Sequence, residues 1–378
     1  MKYMGRSIST SLLIVVLLLL ALATAANAQI VTTTVKAGTG VSELAVNPVT
    51  NKIYVTNLTS NNVTVIDGAT NTTTTVADPK AVSPVGVAVN PLTNQIYVTN
   101  FGSSNVTVID GATNATTTVA AGTSPNAVAV NPVTNKIYVA NNGSGNVTVI
   151  DGATNGTTTV TAAAGGNPLA VAVNPVTNKI YVANGGSNNV TVIDGATSAV
   201  SATIAVGPYP VAAAVNSVTN QIYVANIRSS TVTVIDGATN KTATVAVGMA
   251  PVAVAVNPVT NQIYVVNTCG NDPTCAGAVG TFGSVTVING VTSTAGATVA
   301  ATLTVARRPE AVAVNPATNQ FYVPHEAGKI VTVISGATNK TSTVTVGTGP
   351  HAVAVNPVTN KIYVANGGSA NVTVISAQ

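Results

Sequence analysis

The stretch Asn131-Pro132-Val133-Thr134-Asn135-Lys136-Ile137-Tyr138-Val139-Ala140-Asn141 reads as a turn feeding a strand. Pro132 sets φ early in the turn and Asn135 accepts the tight reversal, while Ile-Tyr-Val is a β-branched and aromatic run. The same turn, or a near copy, starts at Asn47, Asn90, Asn131, Asn174, Asn216, Asn257, Asn315 and Asn356. These eight anchors lie 41–43 residues apart, with one interval of 58 between Asn257 and Asn315. A period of about 40–45 residues built only of strand-like segments matches a four-stranded sheet repeated side by side and not a helical repeat.

Each unit carries four short strands, a to d, rich in Val, Thr, Ile and Tyr; in the sixth they cover residues 252–256, 262–266, 284–288 and 300–305. The a and b strands join through the Asn-Pro-Val-Thr-Asn turn, and c and d through a second turn such as Asp151-Gly152-Ala153-Thr154-Asn155. The strands do not alternate strictly between apolar and polar, because a sheet packed on both sides wants apolar or small residues on each face. The pattern predicts an all-β fold, an eight-bladed β-propeller of four-stranded antiparallel blades. Antiparallel order places every ab and cd turn at one end of its blade, and the bc loops and blade-to-blade da links at the other. A d-type strand at residues 30–35 precedes the first a strand, and the last unit stops after its c strand at residues 372–375. The N-terminal strand is therefore expected to complete the eighth blade and close the ring.

Strand b ends in Tyr54-Val55-Thr56-Asn57 and Tyr97-Val98-Thr99-Asn100, with Tyr-Val-Ala-Asn starting at 138, 181, 223 and 363. On these motifs the chain resembles the YVTN-type β-propeller repeat family, with relatives among archaeal surface-layer proteins and bacterial periplasmic or secreted proteins. The resemblance spans essentially the whole chain after its first segment. It implies blades and not an activity, since one fold hosts many functions. Many members of that family are described as seven-bladed, and the eight units here depart from them.

The N-terminus carries Lys2 and Arg6, an apolar run from Leu12 to Ala23 and then Ala26-Asn27-Ala28, the three zones of a cleavable signal peptide. Residues 1–28 are read as that signal and 29–378 as one propeller domain, secreted or periplasmic, with possible attachment to the cell surface. No later segment has the roughly 20 apolar residues of a membrane span. The full chain has 14 Lys plus Arg against 10 Asp plus Glu. Without Lys2 and Arg6 the count is 12 against 10, so a nucleic-acid partner is not expected. The only cysteines, Cys269 and Cys275, are close in an exported chain and predict a local disulfide.

Several recurring residues have structural readings. Asp67, Asp110, Asp151, Asp194 and Asp236 suggest a calcium ring, but each opens an Asp-Gly turn, which explains them better. The strand b Tyr is expected to pack between blades in preference to serving as a stacking platform for bases or sugars. Triplets such as Asn57-Leu58-Thr59 and Asn105-Val106-Thr107 fit glycosylation signals, yet an Asn- and Thr-rich repeat produces them automatically. No phosphate loop, nucleophile elbow or haem-attachment motif occurs, so no cofactor is expected and no catalytic residue is assigned.

The ab and cd turns are nearly monotonous and the bc and da segments are not, so function is expected on the second face. Unit six lengthens its bc loop across residues 268–283. Around it the candidate ligand-binding residues are Arg228, Arg307, Arg308, Glu310, His325, Glu326, Lys329 and His351, a polar sector over blades five to eight suited to an acidic or hydrogen-bonding ligand. The reading is a non-enzymatic binding or cell-surface scaffold whose partner is a protein, a glycan or a small acidic molecule. Two alternatives stand beside it. One is a haem- or lactone-type propeller enzyme using His325, His351 and Glu310 or Glu326, groups that are also competent metal ligands, although Arg307 and Arg308 oppose a cation. The other is a passive surface-layer component.

Overall fold

The computed structural model describes residues 30–162, 166–270, 282–291 and 296–377. Its strands form eight four-stranded antiparallel sheets, and the innermost a strand of each sheet contacts the a strands of its two neighbours around a closed ring. The eight-bladed propeller expected from the repeat is the fold. No α-helix occurs among the described residues, and none of their helices is long and apolar enough to cross a membrane. The signal-peptide reading of residues 1–28 lies outside the described residues.

The ring closes as the strand count requires. Ile30–Lys36 pairs antiparallel with Asn371–Ala377, in register from Ile30 opposite Ala377 to Lys36 opposite Asn371, and so becomes the d strand of blade 8. The wedge between blades 8 and 1 then packs Val35, Tyr363 and Val372 against Val41, Ile53 and Val55. The other wedges repeat this Tyr, Ile and Val pattern, with Phe321 in place of the Ile and stacked on Tyr264 between blades 6 and 7. Tyr54, for example, is fully buried and packs between Val63 and Val65 of its own blade and Ile96 and Val98 of the next. The strand b tyrosines are thus packing residues.

The turns explain why the repeat keeps so many asparagines. Asn51, Asn94, Asn135 and their counterparts adopt φ of 51–60° where the ab turn reverses, a conformation Asn tolerates better than most residues. Each leading Asn is buried and joins its blade to the next. The Asn47 amide donates to Asn94 Oδ1, and equivalent bonds run 90→135, 131→178, 174→220, 216→261, 257→319 and 356→51, all at 2.7–2.9 Å. Asn315 donates to Asn360 in the same way, so eight bonds circle the disc. The leading Asn also accepts from its own turn, as Asn131 Oδ1 does from the Val133 N–H at 3.1 Å.

The cd turn docks on the ab turn through a glycine. Gly68 N–H donates to the Asn51 carbonyl at 2.8 Å, and a Cβ at Gly68 would lie only 2.6 Å from that oxygen. The preceding Asp67 accepts the N–H groups of Ala69 and Thr70, and these bonds hold its carboxyl below the usual carboxylate range. The recurrent aspartates are therefore turn formers.

Candidate functional site

Residues at the start of strand a in blades 1 to 5 and 8, with Ala311 of blade 7, surround a central cavity of about 490 Å³. Most of its wall is small and apolar, with Ala127, Ala170, Ala212, Ala311 and Ala352 around it. One side chain breaks that pattern. Glu43 stands in the column that the other blades fill with Gly86, Ala127, Ala170, Ala212, Ala253, Ala311 and Ala352. The neighbouring blade has the only glycine of that column, and a Cβ at Gly86 would lie 3.5 Å from Glu43 Oε2 and 2.5 Å from the Asn126 carbonyl.

Glu43 is exposed to water in the open channel, with the strand a residues of other blades around it. Desolvation by the surrounding protein raises its pKa to about 7, even though Oε2 accepts a long 3.3 Å bond from the Val87 N–H that favours the charged form. Ser42, Asn126 and His351 complete the polar part of the wall, and His351 Nδ1 lies 3.2 Å from the Gly349 carbonyl. The polar groups of blades 8 and 1 are therefore adjacent across the seam where the ring closes. His351 was legible from the sequence as part of the irregular face, whereas Glu43 stands out only when the strand a columns of the eight units are aligned.

The irregular loops themselves separate into smaller arrangements. Arg308 pairs with Glu326 and lies 3.9 Å from Glu310, and these are the ion pairs of the described residues. Burial, aided by the Glu326 charge, raises the Glu310 pKa to about 7 against the opposing effect of Arg308. Arg308 is thus already committed to two carboxyls. Arg228 instead stacks over Tyr209 at 4.1 Å, and Arg307 approaches Phe282 at 5.8 Å. Lys329 is exposed in the bc loop of blade 7. Cys269 is buried at the end of a strand b that runs Gln262–Gly270, whereas Cys275 and the rest of the extended loop, residues 271–281, lie outside the described residues.

His325 does not stand on the open face where the sequence argument put it. In blades 1 and 3 the Asn that ends strand b is buried and donates to a strand c Thr, as Asn57 does to Thr64 and Asn141 to Thr148, both at 2.9 Å. His325 fills that slot in blade 7, fully buried, with Nε2 2.7 Å from Thr332 Oγ1. Burial holds the ring neutral, with its pKa lowered to about 4 against the carbonyls of Ala306 and Arg307, which favour the proton. The adjoining Pro324 has no N–H for strand a, and strand a of this blade is cut to Ala313–Asn315. His325 and His351 therefore occupy different environments, and no group of three His, Cys, Asp or Glu side chains suited to a metal occurs among the described residues.

Fold and site together define an eight-bladed β-propeller with a single carboxyl in its channel. No protein-family model matches the sequence, and no curated protein matches it. Among solved structures the chain is similar to hydrazine synthase from Kuenenia stuttgartiensis, with a TM-score of 0.64 at 20% identity over 89% of this chain and 96% of that one. It is also similar to a streptogramin B lyase, with a TM-score of 0.62 at 10% identity over 92% and 98% of the two chains. The virginiamycin B lyase of Staphylococcus aureus gives a TM-score of 0.62 at 9% identity over 93% and 100%. At these identities the likeness is one of fold.

Proposed function

We propose that this protein is an extracytoplasmic propeller of the YVTN repeat type that acts as a non-enzymatic binding scaffold and takes its ligand at the channel mouth on the bc and da face. The observation that carries this reading is the 490 Å³ cavity, where Ser42 and Glu43 of blade 1 and His351 of blade 8 stand on adjoining blades, with Asn126 on blade 3 and mainly Ala and Val side chains around them. That volume and lining suit a small organic ligand or the tip of a larger partner. The exported location rests on the signal-like residues 1–28, and the closed bc loop on a Cys269–Cys275 disulfide. With Arg308 neutralised by Glu310 and Glu326, the channel is a better receptor than the arginine cluster.

A thermal-shift screen of small acids, amines, glycans and metals on the protein tests this, since a ligand of the native state raises the midpoint by mass action. Hits should weaken in Glu43→Gln and His351→Gln. Hits indifferent to both variants would move the site away from the channel.

A second reading, acid–base catalysis, is favoured by one observation: Glu43 titrates near neutrality and shares its cavity with an imidazole. The lyases among the structural neighbours show that a similar disc is compatible with catalysis. Turnover abolished by both Glu43→Gln and His351→Gln would favour this reading over passive binding.

A further inference from the structure

We infer that the channel is a receptor for a small organic cation, an ammonium group on an apolar body, with Glu43 as its counter-ion. This rests on the channel-binding reading above and names the class of ligand. A divalent metal needs several oxygen ligands, and the wall offers one carboxylate with no second acidic side chain beside it. An anion would face the Glu43 charge. An uncharged polar ligand would gain little from a wall made mainly of Ala and Val, with Leu169.

A single carboxylate among small apolar side chains, in an open channel whose wall also shows polar atoms, suits a ligand with one positive end on a small apolar body. The cation supplies the charge that Glu43 lacks, and the body covers the alanines and Leu169. Glu43 is positioned for the role. Its partner on the protein is one long bond to Oε2, leaving carboxylate capacity for an incoming donor, and Gly86 leaves space beside it. The cost of holding a lone carboxylate there appears as its raised pKa, and a bound cation relieves that cost. His351 is the other titratable side chain of the wall, and when protonated it repels a cation. The neighbouring strands contribute Val85, Gly86, Asn126 and alanines, none of which titrates. Acid therefore weakens cation binding through Glu43.

The test uses the whole protein and three probes of similar size, n-butylammonium, 1-butanol and butyrate, followed by calorimetry and by NMR of the Glu43 and His351 signals. Butylammonium is expected to bind best at pH 8 and to lose about tenfold in affinity by pH 6, as Glu43 goes from mostly ionised to mostly protonated around a pKa of about 7. Glu43→Gln, close to isosteric, is expected to abolish that preference without lowering the thermal midpoint, since it removes a carboxylate that is costly to ionise. If butanol binds in the channel as well as butylammonium and Glu43→Gln changes neither, the cation proposal falls and channel binding stands. If no probe shifts either residue's signals at any pH, both fall.

Discussion

His325→Asn restores in blade 7 the residue found at that strand b position in every other blade, and the structure sets the size of its effect. The imidazole is fully buried beside Thr332 and its pKa falls from an ordinary 6.5 to about 4. The sign follows from linkage. Above pH 6.5 the ring is neutral in both states and contributes no pH dependence. Between 6.5 and 4 the unfolded chain binds a proton that the folded protein refuses, so stability falls as pH falls, and the loss is complete below 4. At about 1.4 kcal/mol per factor of ten in proton affinity, the loss attributable to His325 is about 3 kcal/mol. Urea unfolding of both proteins at pH 7.5 and pH 4 measures it. Glu43 and Glu310, whose raised pKa values act in the opposite direction, are present in both proteins and cancel in the difference. At pH 7.5 the two proteins should be within about 1 kcal/mol, because Asn makes the same bond to Thr in other blades. At pH 4 the variant should be the more stable by about 3 kcal/mol. Parallel pH profiles would refute the assignment of His325 to the buried slot.

Deleting Ile30–Lys36 removes the outer strand of blade 8 and its packing through Val35, so calorimetry should show a sharply lower midpoint; an unchanged midpoint would disprove the closure. Asn131→Ala strands both Asn178 Oδ1 and the Val133 N–H, and a loss of about 2–4 kcal/mol is expected in chemical unfolding, against a negligible change for the exposed Val133→Ser. Lys52→Gln should leave stability within about 1 kcal/mol. It gives the buried, unbonded Tyr54 hydroxyl the partner that Tyr97 finds in Gln95 at 2.8 Å, at the expense of the Lys52 bond to the Gly111 carbonyl.

The disc, its blade count and its closure were legible because a repeat displays the same local chemistry eight times. The roles of Tyr54 and Asp67 followed from their neighbours in sequence. The ring of asparagines was not legible, because Asn47 and Asn94 meet only after two blades are set side by side in a particular register. His325 was misplaced for a different reason. Its motif Tyr322-Val323-Pro324-His325 aligns with Tyr-Val-Ala-Asn and marks it as the buried strand-end residue, but histidine's chemistry drew attention to the open face. Glu43 was visible in principle as the one charge in a column of Ala and Gly. Its significance needed the channel, because nothing local says that strand a faces a cavity and not a neighbouring sheet.

The most direct test of the account is a carbon-13 NMR titration of the Glu43 carboxyl, with and without n-butylammonium. The channel site predicts a midpoint near 7 in the free protein that moves down when the cation binds. A midpoint at the ordinary glutamate value of 4.5, unmoved by the cation, would contradict it.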